Sequence, residues 1–337
     1  MTWRGPVLDD DQRDVLALLD DLLGGREPLD DRDTETVAGA RAELADLGLW
    51  TVGVPEALGG GGATLPVHLL VLERLGRIWP ALGWASAQAH AAVEVLGTDE
   101  RFADLVAGVH AGTAAVAVVE FSGDHVDLQV DGSTVTGVIE RVDPAGADPV
   151  VLVLDEDNML VLPAGGAVEP VRRTGLGGAR TCRMTVDTDR AIRVPGAPHG
   201  ARARLALGAA ATAAGLAGAA ADGALTYAGE RQQFGGPLTA LPTVRAALHE
   251  QVRASTAALA TVLGADPRDP VQTASSLMGA CDTAVVVAGL AVQSHGGYGY
   301  LSEYPAERLL RDAVSLRAAV GSTGVARATA LALVASG

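Results

Sequence analysis

The sequence predicts an α+β fold in which a β region separates two helical ones, and three observations carry that expectation. Apolar residues recur at helical spacing from Asp10 to about His110. Short β-branched runs replace them between about Thr113 and Val194, and long helical stretches return from Ala203 onward. Helices, then strands, then helices describe an α+β chain rather than an alternating one. The expected parts are an N-terminal helical domain (1–112), a middle antiparallel β-domain (113–198) and a C-terminal four-helix bundle (199–337).

Each part has its own signal. Val15, Leu18, Leu19 and Leu22, and later Val67, Leu70, Val71 and Leu75, share a helical face. Val54-Pro55-Glu56 and the glycines 59–62 interrupt this pattern and predict a conformationally free loop. Residues 115–119 read as a strand, 126–130 alternate strictly, and Asp131-Gly132 predicts a hairpin turn because both positions tolerate φ > 0. Runs at 134–139, 150–154, 159–162 and 182–186 extend the pattern to a small antiparallel sheet or barrel. Helices are expected over 204–230, 243–263, 271–294 and 305–319.

Composition narrows the function. With 337 residues, 48% of them hydrophobic, the chain can bury a large core. A net charge of -16 and the lack of a Lys/Arg run argue against nucleic-acid binding, since nothing offers a positive stripe to phosphates. Cys182 and Cys281 stand far apart with no CxxC or Cys/His spacing, so neither a disulfide framework nor a metal site is expected. The N-terminal residues lack the profile of a secretion signal, and the uncharged run 205–221 is short for a bilayer span. A soluble, cytoplasmic chain is the expectation. No GxGxxG after a strand, GxxxxGK[ST], HExxH or GxSxG occurs, which leaves Rossmann, P-loop, zincin and α/β-hydrolase chemistry without an anchor.

Two segments remain. Glu230-Arg231-Gln232-Gln233-Phe234-Gly235-Gly236-Pro237-Leu238 ends a helix. Its glycines and proline can be a plain helix stop, or Arg231 can offer a phosphate two parallel hydrogen bonds while Phe234 packs against a ring. Gln293-Ser294-His295-Gly296-Gly297-Tyr298-Gly299-Tyr300 is followed by Glu303-Tyr304-Pro305-Ala306-Glu307-Arg308-Leu309-Leu310-Arg311-Asp312. The glycines allow close backbone approach to a ligand or another chain, or serve only as a turn. Glu307, Arg308, Arg311 and Asp312 fit helical ion pairs, and His295 fits a hydrogen-bonded structural histidine.

Together these segments closely resemble the flavin-binding signature of the acyl-CoA dehydrogenases. Leu47-Gly48-Leu49-Trp50 through Val54-Pro55-Glu56 and Gly59-Gly60 resembles that family's N-terminal stretch, and Gly175-Leu176-Gly177-Gly178-Ala179-Arg180-Thr181 resembles the end of its middle domain. The resemblance spans about 10–327. It implies FAD as cofactor and an acyl-CoA substrate, with a hydride passing from the β-carbon to the flavin while a glutamate removes the α-proton. That base needs near-contact placement in a dry pocket.

The resemblance puts the usual glutamate just before Gly321-Ser322, where this chain has Val320. The alternative position used by some members falls at about Leu205. Neither side chain accepts a proton, and the neighbouring Arg202 and Arg204 are no general bases. The family's Glu-Pro-x-Ala-Gly-Ser-Asp loop and Trp/Phe-Ile-Thr strand are replaced by Glu120-Phe121-Ser122-Gly123-Asp124 and Glu140-Arg141-Val142. By contrast Arg231, Phe234, Gln293, Gly296, Gly297 and Ser322 are at positions the resemblance assigns to FAD, the first five to a flavin seated in a neighbouring subunit.

A chain that keeps only a cross-interface half-site resembles the base-lacking subunit of the actinobacterial α2β2 acyl-CoA dehydrogenases, several of which act on steroid side-chain CoA thioesters. The expected partner is a homologous subunit carrying the glutamate, with FAD shared between them. Two other readings stay open: a stand-alone biosynthetic dehydrogenase or flavin oxygenase acting on carrier-bound acyl groups, and a flavin-free acyl-CoA binding protein. Stoichiometric flavin in the isolated chain marks the first, and acyl-CoA affinity without FAD the second.

Overall fold

A computed structural model describes residues 3–321, 324–325, 329–330 and 333–334. Five helices come first: α1 (Asp10–Leu23), α2 (Thr34–Asp46), α3 (Leu65–Ile78), α4 (Pro80–Leu96) and α5 (Ala103–His110). Asp9 caps α1 through a reciprocal pair with Gln12, and Asp33 caps α2 by accepting from the Thr36 amide. The glycine-rich loop is pinned rather than free. The amides of Gly60, Gly61, Gly62 and Ala63 donate to the carbonyls of Pro55, Thr51, Val54 and Val52. Its glycines therefore serve a tight fold-back, not mobility.

Eight strands follow: β1 (Val116–Glu120), β2 (Val126–Asp131), β3 (Thr134–Val142), β4 (Val150–Leu154), β5 (Asn158–Leu162), β6 (Ala167–Pro170), β7 (Cys182–Thr188) and β8 (Ile192–Pro195). They form two four-stranded sheets, β1-β4-β5-β8 and β2-β3-β7-β6, with one core between them that includes Ala117, Val151 and Leu160 from the first and Val135, Ile139 and Met184 from the second. This corrects the expected single antiparallel sheet or barrel, because β1 and β4 run parallel. The β2–β3 hairpin forms where expected, but shifted by one residue: Asp131 is the last paired residue, opposite Thr134, and the two turn residues are Gly132, at φ +63°, and Ser133. Between Ile139 and Val142 the β3–β7 register shifts. A bulge there breaks the alternation and leaves Arg141, Val142 and Asp143 all buried.

Four long helices complete the chain: α6 (His199–Glu230), α7 (Pro242–Leu263), α8 (Pro270–His295) and α9 (Ala306–Ala319). The uncharged run 205–221 lies inside α6, which has 32 residues. By length and hydropathy α6 is thus sufficient for a bilayer span, contrary to the expectation from the run alone, but 78% of its most apolar window is buried against protein. It is the central helix of the bundle. Small residues make that possible: a Cβ on Gly215 would lie 2.0 Å from the Glu73 carbonyl oxygen, and one on Gly76 2.2 Å from that of Thr212. The α3–α6 crossing is therefore backbone against backbone.

Candidate functional site

Two places correspond to the residues singled out in the sequence, and they differ in kind. The first lies where α6 ends. Arg231 is its C-cap, and the Gln232–Gln233 and Gly236–Pro237 segments pair as a tight hairpin whose tip is Phe234 and Gly235 at φ +54° and +86°. A phenylalanine in the left-handed region, 87% exposed, is unusual on both counts.

The glycine loop following α8 packs beside this end. Tyr227 stacks on His295 with centroids 4.3 Å apart, Tyr304 meets both rings edge-on, and the Arg231 guanidinium sits 5.0 Å from the Tyr298 ring centroid. His295 is buried and donates from Nδ1 to the Ala291 carbonyl at 2.7 Å, as a structural histidine should. Gly296 adopts φ +59° and, like Gly297, faces open space, whereas Gly299 is required internally because a Cβ would meet the Val292 carbonyl oxygen. Gln293 is exposed on the last turn of α8. Arg231 is thus brought to the glycine loop through Tyr298, and Ser322 lies outside the described residues.

This end is chemically suited to a nucleotide's phosphates and base. A guanidinium is oriented by an aromatic face, glycines leave room, and Phe234 offers an uncovered ring. The residues fit the adenosine and pyrophosphate portion of a FAD. The aspartate that follows in sequence does different work: Asp312 is buried, accepts from the Leu176 amide at 2.6 Å and pairs with Arg308 at 3.0 Å, fixing the 175–181 turn on α9. Burial raises its carboxyl above the ordinary value even beside Arg308.

The second place is where the β region meets α4, with α6 and α9 packed beside them. Val320 is the C-cap of α9, and it and Leu205 are partly buried apolar side chains packed against the main core. No proton acceptor stands at either position. Carboxylates do occur nearby, and the sequence reading missed their state. Glu120 is held by Arg202 in a two-pronged pair at 2.9 and 2.8 Å, and Glu94 is paired with Arg204, which also donates to the Gly53 carbonyl at 3.1 Å. The Glu120 hydrogen bonds raise the Arg202 guanidinium further above its usual range. A carboxylate engaged by a guanidinium fork is committed as an acceptor and is a poor base. No sequence signal pointed to these partners, which lie 82 and 110 residues apart in the chain.

The positions of the replaced strand form a buried polar cluster. Arg141 Nε donates to Asp143 at 2.6 Å, Thr181 donates to the same carboxylate, and Arg141 Nη2 donates to Ser315 Oγ on α9 at 3.3 Å. From α4, Gln88 donates to the Asp143 carbonyl at 2.9 Å and accepts from the Val118 amide at 2.9 Å. These groups are buried and satisfy one another, so they hold no free donor or acceptor toward a flavin ring. Cys182 and Cys281 are buried with thiols pushed up to about 11 and about 12 by desolvation, so neither is a nucleophile.

Comparison with known proteins places this architecture. Family profiles match in two blocks, the acyl-CoA dehydrogenase N-terminal domain over residues 25–113 and its C-terminal domain over residues 201–334. An acyl-CoA dehydrogenase of Bacillus subtilis (strain 168) is 29% identical over 316 residues, covering 79% of this chain and 81% of its own length. Butyryl-CoA dehydrogenase from Megasphaera elsdenii has the same fold, with a TM-score of 0.77 at 22% identity over 99% of this chain and 100% of its own. The prolyl acyl carrier protein oxidase AnaB reaches 0.81 at 16% identity over 97% and 100%. Two matching domains in the right order, and the helical, β and helical regions between which they lie, show that the chain belongs to the acyl-CoA dehydrogenase family of flavoproteins.

Proposed function

We propose that this chain is the base-lacking subunit of a heteromeric, FAD-dependent acyl-CoA dehydrogenase that forms α,β-unsaturated acyl-CoA. In this reading it lends the adenosine and pyrophosphate half of a FAD site to a homologous partner that carries the catalytic glutamate. The observation that carries the proposal is the division of the site. The outward cluster around Arg231, Tyr298, Gly296 and Gly297 is open, while inside the chain Arg141, Asp143 and Gln88 are buried and committed to one another and to backbone, and Glu120 and Glu94 are each taken up by an arginine.

A symmetric homo-oligomer has no reason to keep one half of a shared site and fill the other, since each copy would need both. The outer stripe of α8 is consistent with an assembly: Val286 and Leu290 are 58% and 37% exposed there, and Val314 on α9 is 51% exposed. When bound, FAD supplies the acceptor for the hydride leaving the acyl chain. This chain's contribution is to hold the far end of the cofactor through Arg231 and the glycine loop. Proton removal falls to the partner, because Val320 and Leu205 hold no proton acceptor.

Coexpression with a family member that carries the glutamate tests the proposal. The expected result is a yellow complex of the two chains that dehydrogenates acyl-CoA thioesters, steroid side-chain thioesters included in the panel. The isolated chain should be colourless and inactive on the same substrates. A flavin-loaded, active homo-oligomer would contradict it.

A further inference from the structure

The chain carries 41 acidic residues against 25 basic ones, so an arginine at its surface readily meets a carboxylate. On the adjoining helix α9, Arg308 pairs with Asp312 at 3.0 Å and Arg311 with Glu307 at 2.6 Å. Arg231 departs from this pattern. Among the described residues neither a carboxylate nor a hydrogen-bond acceptor meets its guanidinium, which lies instead 5.0 Å from the centroid of the Tyr298 ring. A carboxylate would occupy N–H groups of the guanidinium and cancel its charge, whereas a ring face attracts the cation and uses none of its donors. Every N–H of the group stays available to an anion.

Both partners of this contact are fixed by their surroundings. The Arg231 amide donates to the Tyr227 carbonyl and its own carbonyl accepts from the Leu238 amide, each at 2.9 Å. In the loop after α8 the Leu301 amide donates to the Tyr298 carbonyl and the Tyr304 amide to the Leu301 carbonyl, each at 3.1 Å. Gly299 lies so close to the last turns of α8 that a Cβ there would stand 2.5 Å from the Val292 carbonyl oxygen. The rings interlock as well. Tyr304 meets Tyr298 edge-on at 5.7 Å, and Tyr227 stacks at 4.3 Å on His295, which is buried and tied to the Ala291 carbonyl. Residues of α6, of α8 and of the segment leading into α9 thus build one aromatic wall behind the guanidinium. A free arginine loses much rotamer freedom when it binds, and a wall that orders it beforehand removes that cost from the binding step.

We infer that Tyr298, braced by Tyr304 and by the Tyr227–His295 stack, is a positioning residue that holds Arg231 in its binding posture before a diphosphate arrives. The inference rests on the proposed half-site for the FAD pyrophosphate. It adds that the half-site is ordered within this chain, by rings, and does not wait for the partner to order it. The same wall ties Arg231 to the glycine loop, since Gly296 and Gly297 lead directly into Tyr298.

The test uses ADP, which has the adenosine and diphosphate chemistry without a flavin, titrated calorimetrically into the isolated chain. Affinity should follow the ring face: Tyr298→Phe close to wild type, Tyr298→Trp equal to it or tighter, and Tyr298→Leu weaker by about three- to tenfold, the worth of an aromatic face to a partly exposed cation. Rescue by phenylalanine separates a held guanidinium from a disturbed loop. Should Tyr298→Leu fail to fold by its urea midpoint, Tyr304→Leu keeps Tyr298 and removes its brace, and it should weaken ADP in the same direction. A second readout needs no ligand: ring current should shift the Arg231 Nε–H proton resonance upfield in wild type and Tyr298→Phe, and not in Tyr298→Leu. Wild-type ADP affinity in folded Tyr298→Leu, or an unshifted Arg231 resonance in wild type, would overturn the inference. Wild type that binds no ADP yet shows the shifted resonance would contradict the half-site and uphold the hold on Arg231. Binding lost in Arg231→Ala but kept in Tyr298→Leu would do the reverse.

Discussion

Arg141 donates through Nε to the Asp143 carboxylate at 2.6 Å, with both side chains only about one-twentieth exposed, at the point where β3 bulges. Removing one member of such a pair strands the other charge in a poorly solvated place. Asp143→Ala should therefore destabilise the chain by about 3–5 kcal/mol in urea unfolding, whereas Arg141→Met combined with Asp143→Leu should cost markedly less. Equal losses for the single and double variants would argue against a buried, coupled pair.

The stacked imidazoles of His68 and His90, 3.8 Å between centroids, set a pH dependence. Burial holds the His90 pKa down to about 3 and that of His68 well below its ordinary value, with the Arg204 charge acting in the same direction on both. The unfolded chain then binds more protons than the folded one below about pH 6.5, so the stabilisation is present above that pH and is lost as pH falls toward the folded values. Each histidine should contribute a slope of about 1.4 kcal/mol per pH unit in that window. Urea midpoints measured between pH 7 and pH 5 check this, and His68→Phe should flatten the slope.

Arg231 should matter to flavin and not to folding. Its guanidinium rests on Tyr298 at the outer surface, so Arg231→Ala should leave the urea midpoint nearly unchanged. In the coexpressed complex the same change should weaken FAD by roughly 10- to 100-fold, the worth of a charge-assisted contact to phosphate. Arg231→Lys should recover only part of it, because an ammonium cannot reproduce the two-pronged geometry. Flavin retention on a desalting column reads all three proteins.

Restoring the carboxylate should not restore the reaction. Val320→Glu places an acid at the end of α9, yet the isolated variant should remain without dehydrogenase activity because the buried groups at the replaced strand stay committed to one another and leave a flavin ring no partner. Turnover by purified Val320→Glu chain with acyl-CoA and an artificial electron acceptor would contradict this.

Much of this was legible in the sequence because it depends on local pattern. Helical periodicity marked the long helices, Asp131-Gly132 marked its hairpin, and the two C-terminal motifs located the cluster that Tyr227, Arg231, His295 and Tyr298 build. What stayed hidden depends on partners far apart in the chain. Nothing near Glu120 announces Arg202, and the edge strands β6 and β8 have only four residues each, too short to show a period. The parallel β1–β4 pair is likewise a long-range choice, and the pinning of the glycine loop follows from carbonyls that only the folded backbone brings within reach.

Flavin stoichiometry tests the central claim most directly. The isolated chain, and the same chain coexpressed with a glutamate-bearing homologue, are denatured and their released FAD counted against each polypeptide. The division of labour described here gives essentially no FAD in the isolated chain and one FAD for each pair of unlike chains in the complex. One FAD per copy of this chain on its own would contradict it.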